Sequence, residues 1–81
     1  MKKIIWEQVK SIDKNRLIKA LEKDGWLLDT EHKKFRTYRK GINKVTIHYH
    51  NIEFRNPGLL KKLLEAIDWQ EKDYIRLKLI K

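Results

Sequence analysis

Two apolar stripes with helical spacing, each carrying its own start signal, bracket a stretch whose apolar residues alternate, and few folds satisfy that order. The first stripe is Leu17, Ile18 and Leu21. Asp13 precedes it as an N-cap, since its carboxylate can accept a bond from a free N–H of the first turn. Ile12 and Leu17 have the spacing of a hydrophobic staple across that cap, and Gly25 is a natural C-terminal stop. The second stripe is Leu59, Leu60, Leu63, Leu64 and Ile67, opened by Asn56 with Pro57 at the first helical position. Helices are therefore expected near residues 14–24 and 57–67.

The intervening residues read as strands. Trp26-Leu27-Leu28 is a short one; Phe35 to Arg39 and Lys44 to His50 are two more, joined by the turn Lys40-Gly41-Ile42-Asn43. In the last run Val45, Ile47 and Tyr49 point one way, and Thr46, His48 and His50 the other. One face is core and the opposite face is open. The expected fold is α+β in the order α-β-β-β-α: a three-stranded antiparallel sheet with both helices packed on one face. The tail DWQEKDYIRLKLIK fits two structures. Asp68 and Glu71 have capping-box spacing and favour a helix, whereas Ile75, Leu77 and Leu79 alternate as in a strand. Near the N-terminus Trp6 and Val9 are expected at the core's edge, and Trp6, Trp26 and Trp69 in the core or on its rim.

With 81 residues the chain is expected to form a single domain, 1–81. Cysteine is missing, which excludes disulfides and Cys-based zinc sites. No run approaches the roughly 20 apolar residues of a membrane span, and MKKIIWEQVK lacks the apolar stretch of a signal peptide. A soluble, cytoplasmic protein with no membrane partner is the expectation.

The charge is uneven. The net charge is +9, and the segment from His32 to Ile52 holds Lys33, Lys34, Arg36, Arg39, Lys40 and Lys44 without one acid. All three histidines, His32, His48 and His50, lie in it too. A solvated surface needs charge but not charge of one sign, so this segment points to a polyanion, RNA or DNA first. The six cations are the expected phosphate contacts. Tyr38 and Tyr49 are candidates for stacking on bases, although Tyr49 alternates with core residues. His48 and His50, two apart on a strand, share a face. That geometry allows a second acid–base group, RNA contacts or a metal pair, but two histidines without a nearby carboxylate make an incomplete metal site.

The pieces DKNRLIKALEKDGW, EHKKF, NKVTIHYH and NPGLLKKLLEAIDW, in this order and spacing, resemble the HicA family of small toxins. The resemblance covers about residues 13–69. It implies a double-stranded-RNA-binding-domain-like fold, cleavage of mRNA, and neutralisation by a HicB-like antitoxin protein. The family's catalytic histidine follows a Gly-Ser pair between the first two strands. The matching residues are Thr30-Glu31-His32, so the histidine is kept and the Gly-Ser pair is not. His50 matches the histidine that the family often has at the end of the third strand. Carried over in this way, His32 is the base that takes the proton from an RNA 2′-OH, and His50 the acid that protonates the leaving 5′-oxygen. Lys33 and Lys34 would steady the charge on the phosphorane, and neither a metal nor any other cofactor is required. The expected function is that of a metal-independent endoribonuclease toxin. The alternative is a catalytically degenerate RNA-binding module of the same fold, with A-form RNA gripped through phosphate and 2′-OH contacts. A third reading has the basic face dock on an acidic antitoxin.

Overall fold

The structure, a computed structural model, describes residues 2–50 and 52–80, with the side chains of Ile52 and Glu53 outside that description. Eight elements follow one another: α1 (Lys3–Val9), α2 (Lys14–Lys23), β1 (Leu27–Glu31), β2 (Phe35–Lys40), β3 (Asn43–His48), α3 (Ile52–Arg55), α4 (Pro57–Ile67) and α5 (Glu71–Arg76). The three strands form one antiparallel sheet in the order β1-β2-β3. The α+β class, the sheet and the two main helices are as the periodicity predicts. No helix among the described residues is long and apolar enough to cross a membrane.

The ends of α2 explain its length. Asp13 accepts a hydrogen bond from the Arg16 N–H at 2.8 Å. At the other end Gly25 takes φ +95°, which L side chains rarely adopt. The Trp26 N–H then reaches back to the Leu21 carbonyl at 3.0 Å, and the Gly25 N–H to that of Glu22 at 3.1 Å. This is a Schellman closure, and it uses Trp26 as its hydrophobic partner. Trp26 therefore belongs to the helix end, and β1 starts one residue later and runs on to Glu31 instead of ending at Leu28. In α4, Asn56 caps the N–H groups of Gly58 and Leu59.

One hydrophobic cluster joins the stripes of both helices to one side of the sheet: Leu17, Ile18 and Leu21 of α2, Leu60, Leu63, Leu64 and Ile67 of α4, and Tyr38, Val45 and Ile47 of the strands. Tyr38, a candidate for base stacking by sequence, is thus a core residue, only 2% exposed. It sits opposite Val45 in the β2–β3 register, and directly opposed residues share a face.

The tail is helical. The cap of α5 is formed by Asp73, which accepts the Gln70 N–H at 2.9 Å, two positions beyond the Asp68–Glu71 pair suggested by spacing. The alternation of Leu77 and Leu79 comes from a helix end, not a strand. Lys78 takes φ +59°, and the Leu79 N–H bonds back to the Tyr74 carbonyl at 2.9 Å, so both leucines turn into the core while Ile75 stays exposed. Trp69 packs edge-to-face on Tyr74 with ring centroids 5.7 Å apart.

Asp24, at the end of α2, ties these parts together. Its carboxylate is 6% exposed. It accepts from the Trp69 indole at 2.8 Å and the Trp26 indole at 3.2 Å, and pairs with Lys40 at 3.1 Å and with Arg76. Burial alone would raise its pKa. The bonds from Trp69, Arg76 and Lys40, with the Lys40 charge, outweigh burial and hold it at about 2.

Two stability outcomes follow. Leu64, 1% exposed between helix and sheet, should cost roughly 2–5 kcal/mol when replaced by alanine, read from denaturant unfolding. A carboxyl with a depressed folded pKa stabilises fully above its unfolded value and loses that contribution as pH falls through the folded one. The shift from 3.8 to about 2 corresponds to about 2 kcal/mol. Asp24→Asn should therefore be clearly less stable than wild type at pH 7, and the gap should narrow between pH 4 and pH 2.

Candidate nucleic-acid interface

The register arranges the open face of the sheet in rows. Leu27 of β1 opposes Arg39 of β2, which opposes Lys44 of β3. Next comes Thr30 opposite Thr37 opposite Thr46, whose last two hydroxyls lie 3.1 Å apart. The third row begins at His32, whose N–H donates to the Phe35 carbonyl at 2.8 Å and closes a two-residue loop, Lys33-Lys34. Phe35 in turn opposes His48. This last row is aromatic throughout. The His32 ring stacks on Phe35 with centroids 4.7 Å apart and planes 10° from parallel, and His48 meets Phe35 edge-on at 6.2 Å.

His32 and His48 thus come together through Phe35, which sequence reasoning passed over as a strand apolar. Its role rests on pairing across the two-residue loop, which a first strand expected to end at Leu28 did not reveal. His50 does not join them. β3 ends at His48, and His50 lies past it in the turn toward α3. Among the described residues it makes no ring contact with Phe35. Tyr49 is held by its backbone, with its N–H on the Lys34 carbonyl at 3.0 Å and its own carbonyl accepting from Lys14 at 3.2 Å.

The cations fare unequally. The segment has no acid of its own, but the fold brings acids to it. Arg39 and Lys44 share Asp29, at 3.4 and 3.5 Å, and Lys40 lies on Asp24. Asp29 is the extra residue where the β1–β2 register shifts between Leu28 and Thr30, and such a bulge re-aims a side chain. Arg36 is on the helix-covered side with Glu31, which it meets at 3.3 Å, and it donates to the Tyr49 hydroxyl at 3.0 Å while lying 5.4 Å from that ring. The bond to Tyr49 raises its pKa, followed by that to Tyr38. Lys33 and Lys34, at the hairpin tip, are exposed and have no ion-pair partner among the described residues. Of the six cations expected to meet phosphate, these two stand clear and four lie in ion pairs with three carboxylates.

Strand alternation turns Glu31 away from His32. Its carboxylate accepts from Tyr49 at 3.1 Å on the other side of the sheet. His32 Nδ1 accepts a long contact of 3.4 Å from the Lys34 N–H. The described residues contain no group of three or more His, Asp or Glu side chains able to hold a metal ion.

Comparison with protein-family models, curated proteins and solved structures finds no match for this chain.

The geometry has a direct spectroscopic check. In NMR spectra the His32 ring protons should be shifted upfield by the Phe35 ring current, and both His32 and His48 should show cross-peaks to Phe35. Phe35→Leu should abolish the shift at His32. Unshifted His32 resonances in the wild-type protein would mean that the stack does not form.

Proposed function

We propose that the chain is a HicA-type protein with a double-stranded-RNA-binding-domain-like fold that acts on RNA through the aromatic end of its open sheet face. The observation that carries this reading is the juxtaposition of two imidazoles, His32 and His48, on either side of Phe35 and beside two unpaired lysines. The element order supports it, since three antiparallel strands between two packed helices are what the resemblance implies.

Such a site suits cleavage of a phosphodiester without metal. One imidazole takes the proton of a ribose 2′-OH; the 2′-oxygen bonds to phosphorus; the bond from phosphorus to the 5′-oxygen breaks as a second imidazole gives that oxygen a proton. The products are a 2′,3′-cyclic phosphate and a 5′-hydroxyl. Lys33 and Lys34 lower the cost of the additional charge on the phosphorane. Proximity to Phe35 makes His48, in preference to His50, the partner of His32. A HicB-like antitoxin is the protein partner that this reading implies, and covering the lysines of the hairpin tip would silence the site.

The second reading, RNA binding without cleavage, is favoured by the contact from His32 Nδ1 to the Lys34 N–H. It occupies Nδ1, one of the two ring nitrogens that a base could use, at a place where the family's Gly-Ser pair is replaced by Thr30-Glu31.

Pure protein incubated with end-labelled RNA in EDTA should give fragments ending in a 2′,3′-cyclic phosphate or its hydrolysis product. A 2′-deoxy sugar at the scissile position should block the cut. His32→Ala and His48→Ala should each lower the rate by roughly 100-fold or more, and His50→Ala by much less. Cleavage unchanged in His32→Ala would remove that residue from the mechanism. RNA that is bound but left whole would select the second reading, and Thr30→Gly with Glu31→Ser would then test whether the family's pair restores cutting.

A further inference from the structure

Asp24, Asp29 and Glu31 sit against the basic segment and offset at most half of its six charges, yet one end of the open face keeps three aromatic rings in a row. A surface that held nucleic acid by charge alone would need neither feature. We propose that His32, Phe35 and His48 form a nucleobase-stacking subsite, and that the ligand of this face is single-stranded RNA. The inference rests on the RNA reading given above and narrows it.

The rings are placed for this. Phe35 is on the central strand and is half-buried, so its position is fixed by both neighbours. His32 lies flat on it, 4.7 Å away and 10° from parallel, and is itself exposed. A planar base can continue that stack, and each stacked base contributes without regard to its identity. The adjoining row offers the hydroxyls of Thr30, Thr37 and Thr46 to a sugar or a base edge, and the hairpin tip offers Lys33 and Lys34 to the neighbouring phosphates. Stacking uses the face of the His32 ring, whereas proton transfer uses a nitrogen in its plane, so one residue can serve both.

A duplex cannot use the subsite. Its bases are already stacked on each other, and an A-form helix presents phosphates and 2′-hydroxyls, whose recognition rests on charge and shape. The fold class alone would suggest duplex RNA; the surface carries too few unpaired cations in its basic segment for that. With two lysines engaged, the log–log salt slope on a single strand should be only about −1 to −2, from roughly −0.7 per phosphate neutralised.

The test uses wild-type protein and uniformly 2′-O-methyl RNA, which lacks the nucleophile and so reports binding alone. Fluorescence anisotropy is read for a labelled single strand, the same strand annealed to its complement, and a strand of equal length made of abasic units. The single strand should bind about 10-fold or more tightly than either control. Phe35→Leu should lose about 10-fold on the single strand and little on the abasic strand, while Phe35→Tyr should keep wild-type affinity. Single-strand binding that the abasic strand or the duplex equals would overturn the subsite and leave the RNA reading standing. Binding of none of the three would overturn the RNA reading and the subsite with it. The wild-type comparison among ligands decides the matter even if Phe35→Leu folds poorly.

Discussion

A carboxylate as enclosed as that of Asp24 is stable as an anion only if several donors converge on it. Here those donors come from every layer of the molecule. Trp26 belongs to the closing turn of α2, Lys40 to the end of β2, Trp69 to the turn between α4 and α5, and Arg76 to the last turn of α5. Each partner is remote in sequence from most of the others, so the anion can be satisfied in one arrangement only. Two tryptophans that would otherwise be generic rim hydrophobes acquire fixed orientations through their indole N–H groups. The C-terminal helix, too short to be stable alone, is anchored to the end of α2. Arg16 adds a second tether by donating to the Lys78 carbonyl at 2.8 Å.

With the helical layer fixed, the chemistry of the open face is decided by register. Both hairpins turn in two residues, Lys33-Lys34 and Gly41-Ile42, and Gly41 supplies the φ of +62° that the second turn requires. A two-residue loop leaves no slack, and a slip of one residue would exchange the two faces of a strand. Phe35, Thr37 and Arg39 would then face the core, and Tyr38 would face water. The core prevents this because Tyr38, Val45 and Ile47 are its floor. The same contacts that stabilise the fold therefore hold His32, Phe35 and His48 in a row, and aim Arg36 and Glu31 at each other on the opposite side.

Legibility from sequence followed the range of the interactions. The caps at Asp13 and Asn56, the stop at Gly25 and the stripes of α2 and α4 are local, and the structure has them where the residues predicted, except that Leu59 stays exposed. The strands were legible as runs, but their limits were not. Trp26 was claimed by a helix-closing motif, and His50 fell outside β3. The tail's alternation came from a positive φ at Lys78, which no pattern of apolar residues signals. At the candidate site the exposed lysines of the hairpin tip and His32 were readable. Phe35 was not, because its role depends on which residues face it across the hairpin. The neutralising acids were missed for a similar reason: Asp24, Asp29 and Glu31 precede the basic segment in sequence but lie beside it in the sheet.

That last point changes what a run of like charge means. Counted along the chain, six cations without an acid describe a polyanion-binding strip. Counted in space, four of them end in exchangeable pairs. A phosphate would have to displace Asp29 to use Arg39 or Lys44, trading one exposed ion pair for another of similar small worth. Among the described residues of the segment, Lys33 and Lys34 are the cations without an ion-pair partner. Their position at the tip of the hairpin that carries His32 concentrates the field at one end of the face, within reach of the aromatic row, instead of spreading it along the sheet. On the proposed reading, a ligand held there would be oriented by stacking and only steadied by charge. Such a site would discriminate by whether a base is available to stack, a property that distinguishes unpaired from paired RNA.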